Sequence, residues 1–223
     1  AEVFRDLDLL IDSNWRAGLV GRNGRGKTTL LRLITGELSP SAGNLHVPVE
    51  TQLFPPRTEP LSETPTFDAV KDALGPFRSW EADMQRLLED GSESAIERYS
   101  RIQETYQSAG GYEVDAAIAR EFDAMGLPPS LLTRAFSTLS GGEQTRALIT
   151  SLFLLPDRYP LIDEPTNHLD ADGRAALADY LAAKSGFLLV SHDRRFLDRT
   201  VDHVVSINAN DVRVNQGTYS DWK

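Results

Sequence analysis

At the start of the chain Leu7, Leu9 and Ile11 alternate with Asp6 and Asp8, and Asp12 closes the run. A period of two apolar positions predicts a half-buried strand. The apolar stretch from Ala17 to Val20 predicts a second, shorter strand. A glycine-rich loop, Gly21 to Gly26, comes next. Thr28 to Thr35 then places Leu30, Leu31 and Ile34 on one helical face and stops at Gly36. The opening order is strand, glycine loop, helix.

The middle of the chain has another texture. Pro55, Pro56, Pro60, Pro65 and Pro76 crowd its beginning, and proline is then absent until Pro128. The intervening residues are rich in Glu, Ala, Arg and Gln, which favour helices. Val114, Ile118, Phe122 and Met125 recur at helical spacing, and three or four helices are expected. Alternation then returns, with a helix from Ser140 to Leu155, a strand at Leu161 to Asp163 and a helix from Ala171 to Lys184. A strand from Phe187 to Val190 and a hairpin of Val204 to Ile207 with Val212 to Val214, turned by Asn208 to Asp211, complete the pattern. Pro160 cannot donate to a central ladder and should mark the first residue of its strand. Strands alternating with helices imply a parallel sheet. The organisation expected is one α/β domain, residues 1–56 and 137–223 forming the core and residues 57–136 a helical insert.

Composition narrows the chemistry. The chain of 223 residues contains no cysteine, so disulfides, thiolate nucleophiles and Cys-bound metals are excluded. The fully apolar run Leu152 to Leu155 is far too short to span a bilayer. Ala1 is followed by neither a basic nor an apolar leader pattern, and a cytoplasmic location is expected. The formal charge is −10, which argues against binding nucleic acid over the whole surface. Its distribution matters more. Residues 57–136 carry 15 acidic and 8 basic side chains, whereas Ser13 to Gly36 contains Arg16, Arg22, Arg25, Lys27 and Arg32 and no acid. That basic stretch is a candidate anion site.

It coincides with Gly21-Arg22-Asn23-Gly24-Arg25-Gly26-Lys27-Thr28, followed by Thr29, which fits the phosphate-loop pattern G-x-x-x-x-G-K-[ST] between a strand and a helix. Glycines let consecutive backbone N–H groups turn inward around phosphate oxygens. Lys27 would bridge the β- and γ-phosphates, Thr28 would ligate Mg²⁺, and the helix start adds its positive end. Leu161-Ile162-Asp163-Glu164-Pro165 is a short apolar strand ending in two carboxylates. Asp163 suits the Mg²⁺ shell, while Glu164 suits polarising the attacking water. An Asp-Glu-Pro turn that merely closes a strand is the alternative. His192, after the strand Phe187 to Val190, stands where ligands bind in open α/β sheets and can reach a γ-phosphate oxygen; a structural histidine fits there too. Leu139-Ser140-Gly141-Gly142-Glu143 heads a helix. Ser140 with Glu143 makes a capping box, yet two glycines weaken a first turn by roughly 1 kcal/mol each, which suits bare backbone offered to an anion.

These motifs, in this order, resemble the nucleotide-binding domain of ATP-binding cassette (ABC) proteins over nearly the whole chain. The runs Asp163-Glu164-Pro165-Thr166-Asn167-His168-Leu169-Asp170, Ser191-His192-Asp193-Arg194-Arg195-Phe196-Leu197-Asp198 and Gly217-Thr218-Tyr219-Ser220-Asp221-Trp222 look like the ABC-F subfamily, and the stretch from Gly141, Glu143, Gln144 and Thr145 through Leu161-Ile162-Asp163-Glu164, with Lys184-Ser185-Gly186-Phe187, looks most like the first cassette of its antibiotic-resistance branch. The resemblance implies a P-loop NTPase fold of the ABC type, with a parallel core sheet, an antiparallel β part near the N-terminus and a helical subdomain insert. It implies hydrolysis of ATP with Mg²⁺, catalytic Lys27, Glu164 and His192, and a nucleotide cradle from Gly21 to Thr29. Ser140, Gly141, Gly142 and Glu143 would act in trans on the ATP of a second cassette, supplied by another half of the protein or by a second copy. Asp170 would lie in the loop crossing that seam. Members place a metal-sensing glutamine after a strand. Gln52 is offered here, although alignment on the Phe54-Pro55 pair puts Pro56 in that place. The aromatic that stacks on adenine would precede the first strand. The implied partner is the ribosome, for translation control or antibiotic resistance, without insertion into a membrane. The alternative is the motor subunit of a membrane transporter, whose partner would be a transmembrane domain.

Overall fold

In chain order the elements are β1 (Arg16–Gly21), α1 (Lys27–Ile34), β2 (Glu50–Phe54), α2 (Thr66–Leu74), α3 (Phe77–Asp90), α4 (Glu93–Ser108), α5 (Val114–Ala124) and α6 (Gly141–Ser151). They continue with β3 (Arg158–Asp163), α7 (Ala171–Ala182), β4 (Phe187–Val190), α8 (Arg194–Thr200), β5 (His203–Ile207), β6 (Val212–Gln216) and α9 (Tyr219–Trp222). This computed structural model describes residues 3–5, 7–55, 63–154, 158–208 and 211–222. Two units are present: residues 1–58 with 156–223, and residues 59–155.

The first unit is built on a six-stranded sheet in the order β2-β3-β4-β1-β5-β6. All neighbours pair in parallel except β5 with β6. Side chains alternate across a strand, and the two faces of the sheet have different covers. Ala17 and Leu19 of β1, Leu161 of β3, and Leu188 and Val190 of β4 share a buried cluster with Leu30 and Leu31 of α1. On the opposite face a Cβ at Gly18 would stand 3.2 Å from Val201 and 3.3 Å from Leu197, which places α8 there. The phosphate-loop strand β1 is therefore held between helices, and truncating a fully buried leucine of this sheet to alanine costs roughly 2–5 kcal/mol.

Three expectations change in this unit. Residues 7–12 form no strand. Leu9 and Ile11 pack against the core cluster while Leu10 is 78% exposed, so the alternation is satisfied by one-sided burial without a ladder. The antiparallel part expected near the N-terminus is, among the described strands, the β5–β6 pair at the other end. Pro160 is the third residue of β3, not the first. It sits opposite Gln52 of β2, and pairing with β4 begins only at Leu161, so the missing N–H falls at the open end of that ladder.

The second unit contains α2 to α6. Lys71 of α2 is buried and donates to Glu81 of α3 at 2.6 Å, and pairs with Asp115 of α5 at 2.8 Å. The Tyr106 hydroxyl of α4 donates to the same Glu81 oxygen at 2.6 Å. One ion network thus joins four helices. The expected end of the insert at residue 136 is too early. The α6 helix packs on α2 and α5, and the unit runs to residue 155. Pro56, Pro60 and Leu155 lie outside the described residues.

Candidate functional site

The phosphate loop starts where β1 ends, with Gly21 paired to Ile207 of β5. Gly24 and Gly26 have φ of 77° and 95°, conformations that an L side chain enters only with strain. Gly26 is the N-cap of α1, and its carbonyl accepts from Leu30 N–H at 2.8 Å. A Cβ on Gly26 would lie 2.5 Å from Val3 and 2.8 Å from Phe4. The first turn of α1 contains no acid, so its positive end is left for an anion. Arg22, Asn23, Arg25 and Thr28 are exposed around the loop and Thr29 is half-buried. Lys27 Nζ donates to the Gly21 carbonyl at 2.7 Å, folded back over the loop that it would leave to meet a phosphate.

Asp163 ends β3 opposite Val190 of β4. Alternation places it on the face of Leu161, the face covered by α1. Burial raises its carboxyl above the ordinary value, and the positive charge of Lys27 and the imidazole of His192 oppose that rise. Glu164 follows with φ 50°, a non-glycine residue in the left-handed region. Its N–H is held by the Val190 carbonyl at 2.9 Å. Such strain persists only where surrounding structure imposes it, and it gathers at functional sites. Burial also raises the Glu164 carboxyl, against the attraction of His192. The His192 backbone N–H approaches Glu164 Oε2 at 3.4 Å. Its Nε2 lies 3.3 Å from Oε1, which is buried and accepts no hydrogen bond. A carboxylate oxygen that accepts no hydrogen bond, on a base with a raised pKa, suits accepting a proton from water.

Thr28 and Asp163 match what Mg²⁺ asks of a protein. Among the described residues no group of three His, Asp or Glu side chains forms a metal cage; Mg²⁺ takes one or two protein oxygens and completes its shell with water and substrate phosphates. The ion would supply positive charge to the β- and γ-phosphate oxygens. Gln52 does not join them. It pairs with Pro160 inside β2 and shares the face of Ile162, opposite Asp163. Its Oε1 is buried without a partner there, and a metal-ligand role conflicts with that placement. Pro56 lies outside the described residues.

In the helical unit the capping box is fully formed. Ser140 Oγ accepts from Glu143 N–H at 3.2 Å, and Glu143 Oε2 accepts from Ser140 N–H at 2.7 Å. The backbone hydrogen bond from Ser140 holds the Glu143 carboxyl below its usual value. Gly141 is exposed. In the sheet unit Asp170 caps α7, accepting from Gly173 N–H at 2.7 Å, while Asn167 and His168 are exposed.

One feature was not legible from the chain. A cavity of about 460 Å³ adjoins the phosphate loop and is lined also by Arg194, Asn208, Tyr219 and Trp222. These residues are remote from the loop in sequence; Arg194, Tyr219 and Trp222 belong to two of the runs that carry the family resemblance, and only the fold brings them to the loop.

A glycine cradle with a lysine, a helix N-terminus and two carboxylates at the end of a parallel strand of the same sheet, one strand removed from the cradle strand, define a P-loop nucleotide-binding domain. The chain belongs to the ABC transporter family, whose model matches residues 4–167. It is 32% identical over 231 residues to the tylosin resistance ATP-binding protein TlrC of Streptomyces fradiae, covering 99% of this chain and 42% of that protein. It is 29% identical over 227 residues to the energy-dependent translational throttle protein EttA of Mycobacterium tuberculosis, covering 99% and 40%. An ABC transporter F family member 5 of Arabidopsis thaliana is 29% identical over 234 residues, covering 99% and 34%. The chain thus spans about two fifths of the length of such relatives or less. Among solved structures, a dimeric bacterial ABC transporter cassette shares the fold with a TM-score of 0.60 at 16% identity, covering 96% of this chain and 90% of that one. Among the described residues no helix is long and apolar enough to cross a membrane.

Proposed function

We propose that this chain is an ATP-hydrolysing cassette of a two-cassette ABC-F protein that works on the ribosome in the cytoplasm. The observation that carries the hydrolytic part is Glu164: half-buried, strained, with one oxygen lacking a hydrogen-bond partner, beside His192 at the end of β3. Lys27 binds phosphate, Thr28 and Asp163 hold Mg²⁺, Glu164 takes the proton of the attacking water, and His192 contacts the γ-phosphate. Ser140, Gly141 and Gly142 present backbone to the nucleotide of the second cassette, so that ATP closes the pair and hydrolysis reopens it. The names of two relatives, one for tylosin resistance and one for a translational throttle, support a ribosomal task of resistance or translation control.

The test is ATP turnover by the full-length protein with and without ribosomes. Stimulation by ribosomes, abolished in Glu164→Gln, is the result expected. Turnover indifferent to ribosomes but raised by a co-purifying membrane permease would assign the cassette to a transporter instead.

A further inference from the structure

Lys71 stands in the middle of the helical unit. Lysine is almost never fully buried unless it is paired, and only 3% of this residue is exposed. Its ammonium donates to Glu81 of α3 at 2.6 Å and meets Asp115 of α5 at 2.8 Å. The Tyr106 hydroxyl of α4 donates to the same Glu81 oxygen. A buried ion pair is a poor stabiliser, since apolar side chains of similar volume serve as well or better; its best attested use is to fix one register among several. Hydrophobic contact is non-directional, so packing alone would let α2 slide against α3 and α5. One ammonium donating to acceptors on both helices holds a single position.

What α2 carries at its first turn gives that register a consequence. The Thr66 backbone N–H and hydroxyl donate to the Arg134 carbonyl at 2.8 and 2.9 Å, and Phe67 N–H donates to the Leu132 carbonyl at 2.9 Å. Phe136 N–H donates back to the Thr64 carbonyl at 2.9 Å. Phe67 also lies beside Lys71, its ring centroid 5.8 Å from Nζ. The segment 132–136 runs on into the capping box at Ser140. Gln144, in the first turn of α6, donates its side-chain amide to the Phe136 carbonyl at 2.9 Å, and Arg134 donates to the Thr138 carbonyl at 2.6 Å. The α6 helix itself packs on α2. The Ser140-Gly141-Gly142 turn is thus tied to α2 by a short chain of hydrogen bonds.

We infer that Lys71 is a positioning residue for ATP turnover: its paired ammonium fixes the register of α2, and α2 sets the place of the Ser140-Gly141-Gly142 turn that meets the nucleotide of the second cassette. The inference rests on that reading of the turn as acting in trans. Lys71 touches no nucleotide and acts through Thr66, Arg134 and Gln144. Sliding a helix by one residue moves it about 1.5 Å, and a misplacement of about 1 Å far from the chemistry can cost on the order of a hundredfold in rate. The cradle around Lys27 belongs to the other unit, so capture of ATP there does not depend on Lys71.

The test is steady-state ATP turnover by the full-length protein, together with its Tm and the hydrogen exchange of residues 139–144 without nucleotide. Lys71→Met keeps an unbranched side chain of similar reach and removes the charge. It should lower kcat about tenfold and speed exchange in residues 139–144, with KM for ATP nearly constant and Tm unchanged or raised. Asp115→Asn keeps an acceptor oxygen and should retain most of the turnover, whereas Asp115→Leu should lose it as Lys71→Met does. Unchanged kcat in Lys71→Met, whatever its Tm, makes the residue merely structural and overturns the inference. So does equal turnover in the two Asp115 variants, a comparison that also decides the matter if Lys71→Met fails to fold. Wild-type turnover in Gly142→Asp overturns the trans reading and the inference with it; a dead Gly142→Asp beside unchanged exchange in Lys71→Met overturns the inference alone.

Discussion

Replacing Glu164 by glutamine should make the nucleotide-free protein more stable while removing its turnover. The carboxylate is 21% exposed, one oxygen is buried without a hydrogen-bond partner, and its pKa is raised mainly by burial. Leaving a buried polar group unsatisfied costs about 1–3 kcal/mol, more when it is charged; the attraction of His192 offsets part of this. Removing the charge while keeping the shape should recover roughly 1 kcal/mol, or a rise of about 2–4 °C in Tm for a chain of this size. The sign with pH follows from linkage. A carboxyl with a folded pKa above its unfolded value favours the fold when protonated, and loses that contribution as pH rises through the folded pKa. The wild type therefore bears the cost at neutral pH and not in acid. Scanning calorimetry of both proteins at pH 7.5 and toward pH 4.5, the ordinary value for this group, should show a gap that closes on acidification. A variant no more stable at pH 7.5, or a gain undiminished near pH 4.5, would refute the reasoning that burial of this charge sets its behaviour.

Other expectations follow from the same geometry. Lys27→Ala removes charge-assisted bonds of roughly 1.5–3 kcal/mol each, and calorimetric ATP binding should vanish; retained affinity would remove the phosphate-loop assignment. Gly26→Ala forces a Cβ into φ 95° and into Val3 and Phe4. A strain of about 1–3 kcal/mol should appear either in the denaturant midpoint or as weakened ATP binding, and a variant normal in both contradicts the loop geometry. Ser140→Ala breaks the capping box of α6, and chemical denaturation should show a loss of about 0.5–2 kcal/mol.

The site was legible because its parts are contiguous. A glycine loop between a strand and a helix, and an apolar strand ending in two acids, are set by local backbone needs, and the fold brings Lys27, Asp163, Glu164 and His192 within electrostatic reach of one another. The helices α2 to α5 followed from composition and proline spacing. What escaped were relations across the sheet. Residues 7–12 alternate like a strand but lack a ladder, and alternation alone cannot distinguish the two. Gln52 has the right residue type near the right strand end, yet its register with Pro160 turns it to the wrong face. The end of the helical unit was misplaced because α6 is amphipathic in either setting, and only its packing on α2 and α5 decides. Arg194 stands in a run that the sequence singles out, but its meeting with the phosphate loop and with Tyr219 and Trp222 comes from tertiary packing.

The central claim is that Glu164 drives an ATP cycle on the ribosome. Its most direct test is co-sedimentation of the full-length protein with ribosomes in ATP, comparing wild type with Glu164→Gln. The variant, closed on unhydrolysed ATP, should remain with the ribosomal pellet while the wild type cycles off. Equal, nucleotide-independent recovery of both proteins in the supernatant would contradict the account.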